Sequence, residues 1–413
     1  MLNTFFLLFL FTIILKYVWE IALDVLNLRY STGPSARVPD ILKDRFSPED
    51  FEKAKRYLKD KVRLATLEKI TSLILTLFYV FYLFPTLDKS LSSGRSVIIQ
   101  ALIFFGIYAA IEYVVELPFK VYSTFVIEQK YGFNTTTAKL FIRDQILQIL
   151  LAVIIGAPII AGIIWFLVKF PVWWWQLSIL AFVILIFFMI IQPILIAPLF
   201  FKFSELENEE LKSKIRTILD KARIKVPNIY KMDASKRTKK QNAYLTGIGK
   251  SRRLVLFDNI LSYNQDEILA VVGHELGHHA KKHIPKLLVL NALLITFTFF
   301  ITNAIYKFLM ETHIFGVSQP YTVFAYAFMF VSSIMFFLEP VMNYFSRKME
   351  YEADEYSAKL LGSPTYLVSS LKRLVKENLS NPNPMPLYKI WYYSHPAPEE
   401  RIKRLMEVGQ NDR

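Results

Sequence analysis

The sequence predicts a mainly α-helical membrane protein in which seven apolar helices carry a small polar α+β region. Three observations point there. Of the 413 residues, 54% are hydrophobic and 15% aromatic, and the mean hydropathy is +0.33, above what a soluble domain usually carries. Seven stretches are long and apolar enough to cross a bilayer as helices, which takes about 20 residues each. The remaining polar sequence is gathered into a few blocks, the largest at 200–285.

The seven stretches run over 3–23, 70–87, 97–117, 146–168, 175–197, 286–310 and 321–345. The first is interrupted by Lys16 and Glu20, four apart on one helical face, where they can pair or snorkel. No basic region precedes Thr4–Leu15 and no small-residue cleavage site follows it, so a cleaved signal peptide is not expected.

Charge then sets the orientation. Lys and Arg total 49 against 35 Asp and Glu, a formal charge of +14. With seven crossings, segment 28–69, loop 118–145, block 200–285 and the C-terminal tail fall on one side. Segment 28–69 alone carries eleven Lys and Arg, whereas the opposite loops offer only Lys89, Arg95 and Lys169. The basic side is expected in the cytoplasm, with the N-terminus outside. No aromatic-interleaved basic patch suggests nucleic acid. The absence of Cys excludes disulfides, thiolate metal sites and a cysteine nucleophile.

Within the polar block, Ser204–Ala222 reads as an amphipathic helix and Ile224–Met232 as a short strand. Asn242–Thr246 and Arg253–Phe257 read as two strands joined by a turn around Gly247 and Gly249. Asn264 is an expected N-cap with Glu267 three residues on, opening a helix toward His283, and Pro285 is expected to mark the kink into the sixth span. The chain thus divides into 1–199, a membrane region with five spans; 200–285, a catalytic region; 286–345, spans six and seven; and 346–413, a C-terminal catalytic region.

The strongest chemical signal is Val272-Gly273-His274-Glu275-Leu276-Gly277-His278. Two His four apart on a helix present their imidazoles to one metal, and the intervening Glu faces the reacting water. A catalytic zinc usually takes a third protein ligand. Glu350 and Asp354, four apart after the seventh span, offer a ligand and a carboxylate to orient a ligand His; spacing alone equally allows a charged surface helix. Glu352 is expected to point away into solvent. His279 and His283 read as the polar face of a helix C-terminus. His395, beside Pro396, is from the residues alone a candidate for oxyanion stabilisation. Glu112 and Glu116 fall inside the third span, where ionisable groups tend to face a cavity or partner. The run Lys236-Arg237-Lys239-Lys240 reads as a lipid-facing loop.

Together these residues resemble the CAAX prenyl protease 1 family of integral-membrane zinc metallopeptidases. The resemblance spans nearly the whole chain. Beyond the His-Glu-x-x-His helix it includes Phe125–Asn134, Ile196-Ala197-Pro198-Leu199-Phe200, Asn242-Ala243-Tyr244 with Val255–Asp258, Ser346-Arg347 through Asp354, and His395-Pro396 with Arg401. Ala397-Pro398 departs from the usual pattern. The resemblance implies Glu350 as third ligand of one zinc ion per chain, Asp354 behind the ligands, and His395 and Arg401 stabilising the oxyanion. Asn242, Ala243 and Tyr244 would lie on a strand that receives the substrate backbone. It further implies that the spans enclose a chamber, lined in part by Glu112 and Glu116, with a small α+β zinc metalloprotease domain on its cytoplasmic side. Glu275 would be the general base.

The implied activity is cleavage near the C-terminus of prenylated or other membrane-associated peptides by a monomer in contact with membrane lipids. The membrane is the endoplasmic reticulum in a eukaryote and the cytoplasmic membrane in a prokaryote. Three alternatives are a quality-control protease of the HtpX type, a transporter or channel with a structural zinc site, and a binding scaffold with a dead site; Glu275 argues against the last.

Overall fold

The first turn of a helix leaves N–H groups without an intrahelical partner, and the second, third and fourth spans satisfy theirs with polar side-chain caps. The computed structural model describes residues 4–92, 94–247 and 252–411. The first five spans are α1 (Thr4–Thr32), α2 (Pro48–Leu91), α3 (Val97–Glu128), α4 (Ala138–Lys169) and α5 (Trp174–Phe200). At the start of α2, Ser47 accepts from the Asp50 N–H while Asp50 accepts from the Ser47 N–H, with Pro48 next in line. Ser96 opens α3 by accepting from Ile99, and Thr137 opens α4 by accepting from Leu140.

The polar block then forms a four-stranded sheet in the order β1-β2-β4-β3. Its strands are β1 (Phe203–Glu205), β2 (Asn228–Met232), β3 (Ala243–Thr246) and β4 (Arg253–Phe257), with α6 (Glu209–Lys221) between β1 and β2. The expected helix from Ser204 therefore starts five residues late. Phe203–Glu205 pairs with Tyr230–Met232 instead, and Asn208 supplies the cap. The expected strand from Ile224 is likewise shorter, because Pro227 has no N–H to give the ladder. The strands β3 and β4 pair antiparallel as expected. Of the turn anticipated between them, Gly249 lies outside the described residues.

Helix α7 (Gln265–Ala280) opens with the Asn264–Glu267 capping box read from the sequence. It does not run on to Pro285. The chain turns at Lys282, whose φ of 56° is left-handed, and α8 (His283–Thr312) begins at once. Pro285 sits in the first turn of α8, where a missing N–H leaves no intrahelical bond unmade. The seventh span is α9 (Pro320–Leu361), and the chain finishes with α10 (Thr365–Glu377), α11 (Pro386–Tyr392) and α12 (Pro398–Asn411).

All seven apolar stretches are thus helices long enough to cross a membrane. Their outer faces carry exposed Val153, Ile154, Val183, Val289 and Leu293, a surface that only lipid covers without loss. The interior is packed around Phe9, Tyr79, Phe104, Trp173 and Tyr326. A separate core joins α6 and the sheet to α7 through Ile215, Leu254, Leu256, Ile268 and Leu276.

The alternation of polar segments between the two ends also matches the seven-span reading. At one end, Tyr57 Oη donates to Glu128 Oε1 at 2.6 Å and Lys240 Nζ donates to Tyr57 Oη at 3.0 Å. Arg237 forks onto Asp144 at 2.8 and 3.0 Å, and Lys372 reaches Asp44 at 2.9 Å. At the other end, Asp88 accepts from the Ser318 and Gln319 N–H groups at 3.1 and 2.9 Å. Segments 28–69, 118–145, 200–285 and the C-terminal tail therefore share one end.

Helices α7 and α9 touch backbone to backbone. A Cβ at Gly277 would lie 2.8 Å from both the Cα and the carbonyl oxygen of Ala353, and one at Gly273 would lie 2.7 Å from Ser357 Oγ. The Ser357 hydroxyl in turn donates to the Ala270 carbonyl at 2.7 Å. Gly277→Ala is expected to force the helices apart at a cost of about 1–3 kcal/mol, read as a lowered thermal unfolding midpoint in detergent. Gly156→Ala, where a Cβ meets nothing within 4 Å, should leave the midpoint at or above wild type.

Candidate metal centre and active site

Three donors converge where α7 crosses α9. His274 and His278 stand one turn apart on α7, and their Nε2 atoms are 3.1 Å from each other. Glu350 reaches in from α9, placing Oε2 at 3.3 Å from His274 Nε2 and Oε1 at 3.2 Å from His278 Nε2. The three residues form a group able to hold a metal ion. The Glu350 Oε2 atom is buried and, among the described residues, accepts no hydrogen bond. A buried carboxylate oxygen left without a donor is costly, and a cation between the three groups would satisfy it.

Asp354 lies one turn beyond Glu350 and is only 2% exposed. Its Oδ1 is 2.8 Å from His274 Nδ1, so it fixes that ring with Nε2 facing the other donors. Arg401, from α12, donates to both Asp354 oxygens at 2.8 and 2.6 Å. Its Nη1 is 3.7 Å from Glu350 Oε2. Arg401 thus reaches the site as the family resemblance implied, with its fork committed to Asp354.

Glu275, next to His274 on α7, also meets strand β3. Its Oε2 accepts from the Leu245 N–H of β3 at 3.4 Å. Burial pushes its carboxyl above the ordinary 4.5, and the neighbouring His274 and His278 pull against that shift, as expected for an acid kept in reach of a proton. His395 stands at the mouth of the site. Its side chain is 62% exposed, and Nε2 lies 3.2 Å from Glu350 Oε1.

Strand β3 is an edge of the sheet, and its residues alternate in direction. The Asn242 carbonyl accepts from Phe257 of β4 at 3.0 Å, so Asn242, Tyr244 and Thr246 spend their backbone groups inward. Ala243 and Leu245 face outward, toward Glu275. The Asn242 side chain accepts from the Ala243 N–H at 2.9 Å. The Tyr244 ring packs on Phe257, and its backbone bonds to β4. Leu245, the next residue, turns its N–H outward to Glu275.

Of the two acids in α3, Glu116 is exposed and paired with Lys120 at 2.8 Å. Glu112 is half-buried and lies near Tyr79 and Tyr108. Neither is brought to the donor cluster. The basic run also does more than face lipid: Arg237 and Lys240 bind Asp144 and Glu128.

Sequence reasoning missed three residues. His283 is not on a polar face but 1% exposed, with Nδ1 at 3.0 Å from His278 Nδ1. Glu352 does not point into solvent; its Oε2 is 3.1 Å from His283 Nε2. Arg347 donates to the carbonyls of Lys389, Ile390 and Tyr393 at 3.2, 3.3 and 2.8 Å, closing the C-terminal end of α11 just before His395. The spacing of His278 and His283 was visible, but an unbroken helix would separate the two rings.

Comparison with known proteins covers most of the chain. A family model described as CAAX prenyl protease N-terminal, five membrane helices, matches residues 27–202, and one described as peptidase family M48 matches residues 205–408. CAAX prenyl protease 1 of Saccharomyces cerevisiae is 33% identical over 92% of this chain and 91% of its own. The CAAX prenyl protease 1 homolog of Arabidopsis thaliana is 31% identical over 95% of each. The crystal structure of S. mikatae Ste24p superposes with a TM-score of 0.90 at 31% identity, covering 97% of this chain and 98% of that one. With a metal-binding trio and an acid beside it on a bundle of seven apolar helices, this chain belongs to the CAAX prenyl protease 1 family of integral-membrane metalloproteases.

Proposed function

We propose that the chain is a zinc endopeptidase cleaving prenylated CAAX-type peptides near their C-terminus, with His274, His278 and Glu350 holding the ion. The observation that carries this reading is the donor set itself. Ligands about 2.0–2.1 Å from one tetrahedral ion lie about 3.3–3.4 Å apart; the two imidazole nitrogens are 3.1 Å apart, and Glu350 sets one carboxylate oxygen 3.3 Å from His274 and the other 3.2 Å from His278. Two imidazoles and one carboxylate are also the ligand types of catalytic zinc sites that keep one position open. One zinc ion per chain would supply Lewis acidity to a water molecule and to the scissile carbonyl.

The chain's own residues do the rest. Glu275 takes the proton of the attacking water and returns it to the leaving amine. His395, at the exposed mouth, donates to the oxygen of the tetrahedral intermediate. Arg401 adds positive potential there while holding Asp354, which holds His274. The outward N–H and C=O groups of Ala243 and Leu245 receive an extended substrate as an added strand, which brings its backbone alongside Glu275. Asn242 yields the Ala243 N–H, and Glu275 the Leu245 N–H, when that strand arrives.

The same reading covers organisation. Residues 1–199 form the first membrane region, 200–285 and 346–413 the catalytic region, and 286–345 spans six and seven. The Lys- and Arg-rich end carries the site, which supports a cytoplasmic active site and an outer N-terminus. Of the apolar 18-residue window in α8, none is buried on either face; lipid on one side and a water-filled chamber on the other would account for that. Glu112 is the acid that fits such a chamber. The chain acts as a monomer on a lipidated peptide, in contact with membrane lipid, in the endoplasmic reticulum of a eukaryote or the cytoplasmic membrane of a prokaryote.

Purified protein in liposomes should cleave a farnesylated CAAX peptide faster than its unmodified form; equal rates would remove the prenyl requirement. Glu275→Gln should retain stoichiometric zinc yet lose cleavage by about 10²–10⁴-fold, and near-wild-type turnover would exclude Glu275 as base. A chelator should abolish activity and added zinc restore it. Leu245→Pro removes one outward N–H, the one that also meets Glu275, without touching the β4 ladder, so KM for peptide should rise and kcat fall while zinc content stays unchanged.

A further inference from the structure

We infer that His283 and Glu352 are positioning residues that set the tautomer and ring orientation of His278, through two imidazoles in series ending on a carboxylate. This rests on reading His274, His278 and Glu350 as the metal donors. His278 turns Nε2 toward those donors, which leaves Nδ1 for a partner. That partner is His283 Nδ1, at 3.0 Å. Two ring nitrogens at this distance share one proton. A His278 that lends its Nε2 lone pair to a cation keeps its proton on Nδ1 and donates it to His283. His283, accepting at Nδ1, must then carry its own proton on Nε2. That nitrogen lies 3.1 Å from Glu352 Oε2, which accepts. Each ring nitrogen is used, and neither ring needs a positive charge.

The device differs from the one behind the other ligand. His274 meets the carboxylate of Asp354 directly, at 2.8 Å, with Arg401 behind it. His278 meets a carboxylate only through an intervening neutral imidazole. The far end of this second chain is partly exposed: Glu352 also lies 3.6 Å from Lys286 Nζ, while His283 itself is 1% exposed. Its placement depends on the helix break. Five residues along an unbroken helix turn a side chain by about 140° away, but the left-handed Lys282, with φ 56°, returns His283 to face His278.

The test is zinc affinity of purified full-length protein in detergent, measured by competition with a chromogenic chelator. His283→Leu should weaken zinc binding about 10–100-fold. His283→Asn, whose amide oxygen can accept at the Nδ1 position, should recover most of that loss. Glu352→Leu should weaken binding, and Glu352→Gln, which keeps an acceptor oxygen, should stay near wild type. The cobalt-substituted protein should show a shifted visible absorption for the two Leu variants alone. Unchanged affinity in His283→Leu would overturn the inference. Equal losses for His283→Leu and His283→Asn would also overturn it, marking a packing role. Should His283→Leu fail to fold, judged by thermal unfolding of the metal-free protein, the Glu352 pair decides by the same criterion. His274→Ala serves as the reference: zinc bound as tightly as wild type there would instead discard the donor trio itself.

Discussion

The close approach of α7 and α9 is the contact on which the rest of this molecule depends. Only glycine at 273 and 277 lets the helices come within backbone distance of Ser357 and Ala353. At that spacing Glu350 falls between the two imidazoles and Asp354 falls behind one of them. Any larger side chain at 277 would move both carboxylates away together. The helices also bring an uncommon density of charge out of water. Glu350 and Asp354 are 3% and 2% exposed, and Arg401 and His274 are packed against them. Burying a charge costs several kcal/mol unless a partner offsets it, and removing one member of such a set exposes the loss in the others. The donors, Asp354 and Arg401 therefore behave as one unit.

The membrane bundle is more than an anchor for that unit. Its basic end is stitched to the catalytic region by Tyr57, Glu128 and Lys240 and by Asp144 with Arg237. The tail returns to α1, where Ser31 donates to the Asn383 carbonyl at 2.9 Å and Asn27 accepts from the Met385 N–H at 2.9 Å. From there α11 is held by Asn343 and Arg347 of the seventh span, which fixes where His395 emerges. The loop that delivers His395 is thus positioned by the first and last membrane helices together, so a disturbance within the bundle reaches the mouth of the site. The edge strand β3 is placed on the opposite side by a different route, through β4 and the core shared with α7. The His395 loop and strand β3 are therefore supported independently of each other.

Much of this was legible in the residues. Apolar length and the distribution of Lys and Arg determined seven spans and which polar segments share an end, because a bilayer admits little besides helices of a certain length. Local chemistry determined the Asn264–Glu267 cap, the β3–β4 pair and the His274–His278 face, since each depends on neighbours within a few residues. Spacing left Glu350 open between ligand and surface residue, and only family resemblance pointed further. What tertiary structure decided were the meetings across distance: Glu350 with both imidazoles, Arg401 on Asp354, Leu245 rather than Tyr244 facing Glu275, and β1 in place of the first turns of α6. His283 and Glu352 show the reason most plainly. Periodicity assumes a continuous helix, and one left-handed residue at Lys282 redirects every side chain after it, so their partnership exists only once the chain has folded.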